Sequence, residues 1–141
     1  MADVFKDLND MHAKYGFHAR VAKMTPTELK EMLEFRWRFL SEELTEMANA
    51  IGHGDAEGVV DALVDLVVVA VGTLDLYGVD GPKAWRAVHE ANMNKEPGIK
   101  ASRPNKLGLP DLIKPPGWVA PDHEGNHGRL DEAAQQMELP F

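Results

Sequence analysis

Cysteine is absent from the 141 residues, which excludes a disulfide framework and any thiolate zinc site. Positive charge is scarce: 15 lysines and arginines stand against 23 aspartates and glutamates, a formal net charge of −8. A surface of that sign does not neutralise duplex DNA phosphates, so direct duplex binding is not expected. It does suit a protein that collects carboxylates for a divalent metal. No apolar run is long enough to cross a bilayer, because the longest, Val59 to Gly72, is interrupted by Asp61 and Asp65. The opening MADVFKDLNDMH lacks the basic segment and apolar run of a secretory signal. A cytoplasmic protein without a membrane partner is expected. Internal repeats and low-complexity segments are missing too. What remains is ordinary for a soluble globular chain, 44% hydrophobic and 27% charged, and long enough for one domain with a real core.

Four helical segments are predicted. The first carries Val4, Leu8, Met11 and Tyr15 as a narrow apolar stripe. The second opens with Thr25-Pro26-Thr27-Glu28, where Thr25 caps, Pro26 takes the first helical position and Glu28 closes a capping box. Leu33, Trp37, Leu40, Leu44, Met47 and Ile51 then recur every three or four residues, and Gly52 and Gly54 end the helix. Asp55 is placed to cap the third helix, which runs to about Tyr77 with Gly78 past its end. Its valines suit a buried strand equally well, but a stretch of this length without a turn signal is a helix. Because that helix is apolar all round, it needs cover on every side, which points to an oligomer. A fourth helix starts near Pro82. After Lys95 the texture changes: seven of the nine prolines lie from Pro97 to Pro140. Residues 1–96 therefore read as a helical domain. Residues 97–141 read as an extended tail packing on that domain or on a partner subunit, with only Asp131 to Gln136 as a short helix.

The chemistry lies in the acids. Glu42, Glu43 and Glu46 are neighbours at helical spacing, and Asp61 and Asp65 repeat the pattern on the next helix. Glu43 borders the apolar stripe. Asp61 and Asp65 sit among aliphatic residues, where unpaired carboxylates are costly. Either arginines such as Arg36, Arg38 or Arg86 pair with them, or a hard cation such as Mg²⁺ does. Asp75 reads as a surface residue. The histidines at 12, 18, 53, 89, 123 and 127 show no ligand spacing on a shared helix, and Glu124 with His127 falls in a glycine-rich loop.

These residues resemble the signature of the MazG-like nucleotide pyrophosphohydrolases, a superfamily that includes phosphoribosyl-ATP pyrophosphohydrolases and dimeric dUTPases. Glu43-Leu44-Thr45-Glu46 matches its Glu-x-x-Glu half, preceded by Glu42. The second half is usually Glu-x-x-Asp, but this chain has Ala62 in place of the glutamate and offers Asp61 beside Asp65. Trp85, Val88-His89 and Asn92-Met93-Asn94-Lys95 look like a later segment of phage and bacterial members, as does Lys114-Pro115-Pro116-Gly117-Trp118 with Pro121-Asp122. The resemblance spans roughly residues 28 to 122.

It implies an all-α, MazG-like helical bundle completed by oligomerisation as a homodimer or dimer of dimers. The implied reaction cleaves the α–β phosphoanhydride of a nucleoside triphosphate. The implied cofactor is Mg²⁺, with Mn²⁺ as substitute, held by Glu43, Glu46, Asp61 and Asp65. Glu42 or Glu46 would orient or deprotonate the water, while Asn92, Lys95 and Lys114 would contact the nucleotide. Phage-type members point to a purine dNTP such as dGTP or dATP, with dUTP removal or house-cleaning as the alternative.

The chain ends Gln136-Met137-Glu138-Leu139-Pro140-Phe141, similar to the hexapeptide that docks on bacterial sliding clamps. An adaptor that docks on the clamp and does no catalysis is therefore the competing reading. A di-iron bundle is disfavoured, since no helix supplies Glu-x-x-His.

Overall fold

A computed structural model of the chain describes residues 1–108 and 110–134. The elements in chain order are α1 (Val4–Lys14), α2 (Phe17–Ala22), α3 (Pro26–Gly52), α4 (Ala56–Leu76), α5 (Gly81–Met93), β1 (Glu96–Gly98), β2 (Asp111–Ile113) and α6 (Leu130–Ala133). The fold class is all-α, and among the described residues no helix is long and apolar enough to cross a membrane. The chain divides into two compact units. One is Met1–Gly81 with the segment from Gly125, and the other is Pro82–Glu124. This grouping parts the chain at the first residue of α5, whereas composition places the change after Lys95.

The first unit is built on α3 and α4. The start of α3 is a capping box: Thr25 Oγ1 accepts from the Glu28 amide at 3.2 Å, and the Glu28 carboxylate accepts from the Thr25 amide at 3.1 Å. Asp55 caps α4 by accepting from the Gly58 amide at 3.0 Å, and Gly78 ends it with a φ of 72° that favours glycine. Joined by a loop of only a few residues, the two helices pack antiparallel along a seven-residue repeat. On α3 the buried side chains are Leu29, Glu43 and Ala50, with half-buried Arg36 in the same register, and on α4 Ala62, Val69 and Leu76 follow the same spacing. A repeat of seven keeps one face against a neighbouring helix, as in coiled coils.

Two expected stripes are displaced by this packing. Leu44 and Ile51 are 51% and 61% exposed rather than part of the core. On α1 the buried pair is Leu8 and His12, while Val4, Met11 and Tyr15 are exposed. Leu8 and His12 lie one turn apart and reach α4 at Gly72, where a Cβ would come within 3.2 Å of the His12 ring and 3.4 Å of Leu8. Glycine there permits the close approach of α1.

The core closes over the ends of α3 and α4 with Val21, Leu29, Leu76, Tyr77 and Ala133. Tyr77 is fully buried and donates its hydroxyl to the Leu29 carbonyl at 2.5 Å. The segment from Gly125 packs on this unit. The Arg129 amide donates to the Tyr77 carbonyl at 2.7 Å, and its guanidinium donates to the carbonyls of Val21 and Met24 at 2.7 and 2.9 Å. Short helix α6 therefore begins at Leu130, close to the predicted start at Asp131. The terminal hexapeptide Gln136–Phe141 lies outside the described residues.

In the second unit the segment after α5 holds an antiparallel hairpin of β1 with β2, in the register Glu96↔Ile113, Pro97↔Leu112 and Gly98↔Asp111. Composition reads this stretch as loop, because three-residue strands with a proline carry no period-2 signal. Trp118 anchors the unit by donating its indole N–H to the Ala91 carbonyl at 2.7 Å.

Candidate functional site

The seam of α3 and α4 turns acidic about halfway along. Glu43 takes the place that Leu29 and Ala50 fill with apolar side chains, and is 7% exposed. One of its carboxylate oxygens, Oε2, is buried with no hydrogen-bond partner. Burial pushes the Glu43 carboxyl above the usual carboxylate range, and the charges of Glu46, Asp65 and Glu42 push it the same way. Glu43, Glu46 and Asp65 thus share one electrostatic neighbourhood spanning both helices. Glu43 also has a side-chain hydrogen bond with Glu46, but a buried carboxylate oxygen without a partner, among further acids, is costly unless something cationic meets it.

Two of the arginines named as possible partners are engaged elsewhere. Arg36 donates to Thr73 Oγ1 and the Val69 carbonyl, each at 2.9 Å, and burial lowers its pKa. Arg38 pairs with Glu34 at 2.8 Å. Arg86 falls in the second unit. Among the described residues neither Asp61 nor Asp65 forms an ion pair.

The remaining acids flank this centre. Glu46 and Asp61 line an open groove of about 300 Å³ with Asn49, His53 and Asp55. Ala62, the residue standing where the resemblance has glutamate, is 3% exposed and faces the seam. Asp61, one position earlier, is exposed at the groove edge rather than enclosed beside Glu43. Glu42 is exposed and borders a second hollow with Ser41, Thr45 and Glu46. Sequence spacing did not single out His53 or Asn49. The His53 Nδ1 donates to the Asn49 carbonyl at 2.7 Å, which fixes its tautomer, because a carbonyl only accepts.

The expected nucleotide contacts belong to the second unit. Asn92 is exposed there. Lys95 and Lys114 converge on the Trp118 ring, with Nζ 5.4 and 4.9 Å from its centroid. Two ammonium groups around one indole, neither in an ion pair among the described residues, leave positive charge for an anion.

A second polar cluster sits near the far end of α4. Asp75 is no surface residue: its side chain is 14% exposed and takes bonds from Asn9, His12 and His18. Burial alone would raise its pKa, but those three bonds together hold it below the usual range.

An all-α unit with carboxylates set into the seam of two long antiparallel helices defines the MazG-like class. The family model for phosphoribosyl-ATP pyrophosphohydrolase matches residues 13–92, more than half of the chain, and the chain belongs to that family. It is accordingly a hydrolase acting on phosphoanhydride bonds. No curated protein matches the chain.

Proposed function

We propose that the protein hydrolyses a nucleoside triphosphate to its monophosphate and pyrophosphate with Mg²⁺, and that the substrate is a purine dNTP such as dGTP or dATP. The observation that carries the metal reading is the enclosed, unpartnered Oε2 of Glu43, set among Glu46 and Asp65. All-oxygen donors fit a hard divalent cation, and Mn²⁺ is expected to substitute. Glu43, Glu46 and Asp65 hold the metal, with Asp61 contributing from the groove edge. When bound, Mg²⁺ would neutralise charge on the phosphates and polarise the scissile anhydride. Glu46 and Glu42 are exposed and so reach water. One of them orients the nucleophile or accepts its proton at a carboxylate oxygen. Asn92, Lys95 and Lys114 bind the nucleotide, the lysines as point charges on phosphate.

The α4 surface supports a homodimer or dimer of dimers. Val60, Leu63, Val64 and Val67 recur at helical spacing and are 46–61% exposed. An exposed apolar stripe of this kind marks an interface.

The test is pyrophosphate release from a panel of dNTPs, NTPs and phosphoribosyl-ATP, with Mg²⁺, with Mn²⁺ and with EDTA. Metal-dependent turnover that favours dGTP or dATP is expected. Preference for dUTP or phosphoribosyl-ATP would keep the reaction and overturn the substrate. No turnover with any would favour the adaptor reading, tested by clamp binding through Gln136–Phe141.

A further inference from the structure

Three helices bring two imidazoles and a carboxylate together at a place the acidic centre does not use. His12 lies in the last turn of α1, the chain turns through Gly16 at a φ of 72°, and α2 then carries His18 to the same carboxylate of α4. His12 Nδ1 and His18 Nε2 each lie 2.7 Å from one oxygen of Asp75, Oδ2. The other oxygen, Oδ1, accepts from the Asn9 side-chain Nδ2 at 2.8 Å. One ligand atom from each of the three side chains lies within 4.8 Å of the others. The rings of His12 and His18 meet edge to face at 88°, with centroids 5.9 Å apart. Their nitrogens therefore converge on the carboxylate instead of stacking.

We propose that His12, His18 and Asp75 form a binding site for a borderline divalent transition metal of the zinc class, separate from the acidic centre. Four features carry it. Two imidazoles with one carboxylate is the donor set such ions prefer, whereas Mg²⁺ prefers oxygen alone. Metal bonds of about 2.0–2.1 Å in tetrahedral geometry set donor atoms roughly 3.3 Å apart. The two N···O pairs reach that separation by opening little more than half an ångström. The Asn9 bond holds the carboxylate from its far side, the kind of outer support that orients a metal ligand. Burial is graded: the His12 side chain is 2% exposed, Asp75 14% and His18 37%. The site is enclosed on the α1–α4 side and open to solvent at His18, where water would complete the coordination. Asp75 lies ten residues beyond Asp65 on α4, about 15 Å along the helix axis, so the two sites are distinguishable.

The experiment uses the full chain, stripped with EDTA, dialysed, and held in excess Mg²⁺ to occupy the acidic centre. It is then titrated with Co²⁺ and with Zn²⁺. The expected result is one equivalent bound per chain, a visible Co²⁺ absorption band of low-symmetry coordination, and a rise in thermal midpoint with Zn²⁺. His18→Gln and Asp75→Asn should weaken binding by about a hundredfold, while Glu43→Gln and Asp65→Asn should leave it unchanged. His18→Gln alters the most exposed ligand, and circular dichroism checks that its helices persist. No band and no thermal rise in the unmodified protein would overturn the proposal. So would binding that survives His18→Gln and Asp75→Asn but disappears in Glu43→Gln.

Discussion

Glu43 is held in the folded chain in a way that favours its protonated form, through burial first and then the charges of Glu46, Asp65 and Glu42. A carboxyl whose folded pKa is raised contributes stability below its unfolded pKa, and that contribution is lost as pH rises through the folded value. Metal-free protein should therefore grow more stable as pH falls from neutral towards the ordinary carboxylate range. Glu43→Gln should flatten that dependence and raise the thermal midpoint in EDTA at neutral pH. It should also abolish the stabilisation by Mg²⁺ and lower kcat by about a hundredfold or more. Thermal scans across pH with and without Mg²⁺, beside a turnover assay, check all of this. A variant that keeps its Mg²⁺ response would remove Glu43 from the metal site.

Tyr77 gives a second prediction, at the alkaline end. Its buried hydroxyl is pushed up to about 12 from an ordinary 10.0, by burial first and against the nearby charge of Arg36. The stability it contributes is whole below about pH 10 and falls away as pH rises towards 12. Tyr77→Phe should lose about 1 kcal/mol at neutral pH with the Leu29 bond and unfold less steeply between pH 10 and 12. Urea titrations at several alkaline pH values measure both.

These residues differ in how visible they are in sequence. Glu43 and Glu46 stand at helical spacing on one helix and Asp61 and Asp65 on the next, and the family resemblance joins the two pairs into one site. Asp75 meets His12 and His18 across sequence separations of 63 and 57. No period links them, and only the fold of α1 and α2 against α4 brings them together.

At the scale of elements, helix ends are legible because capping is local chemistry. Thr25, Pro26 and Glu28 mark the start of α3, Asp55 the start of α4 and Gly78 its end. Thr25→Ala should cost about 1 kcal/mol of stability, measured by chemical denaturation, with catalysis untouched. Which face of each helix is buried is less legible. The stripe through Leu44 and Ile51 is as apolar as the seam through Leu29 and Ala50, and the choice between them depends on what packs opposite. Gly72 shows that dependence most sharply. Alanine there gains about 1 kcal/mol in helix propensity. Its Cβ, however, would stand 2.9 Å from Arg36 Nη2 and 3.2 Å from the His12 ring. Arg36 cannot withdraw without breaking its bonds to Val69 and Thr73, and overpacking of this kind costs about 1–3 kcal/mol. Gly72→Ala should therefore destabilise on balance and loosen α1, seen as faster amide exchange in α1 than in α3.

At the scale of the molecule, the apolar character of α4 divides into two roles. Ala62, Val69 and Leu76 satisfy the seam with α3, whereas Val60, Leu63, Val64 and Val67 leave their apolar surface in water. Taking a valine or leucine side chain fully out of water contributes roughly 1.5–3 kcal/mol, and with 46–61% of each of the four still exposed about half of that remains to be gained per residue on association. Val64 is 55% exposed within the single chain, and a charge there is tolerated by the isolated fold but not in an apolar interface. Val64→Asp should keep its helical circular dichroism and run by light scattering at the mass of one chain. The unmodified protein should run at two or four. The same variant should lose the dependence of its thermal midpoint on protein concentration, because association stabilises only the folded state. An unchanged mass for Val64→Asp would show that this face of α4 is not where the chains meet. An unmodified protein at the mass of one chain would show that the stripe is not an association surface between copies.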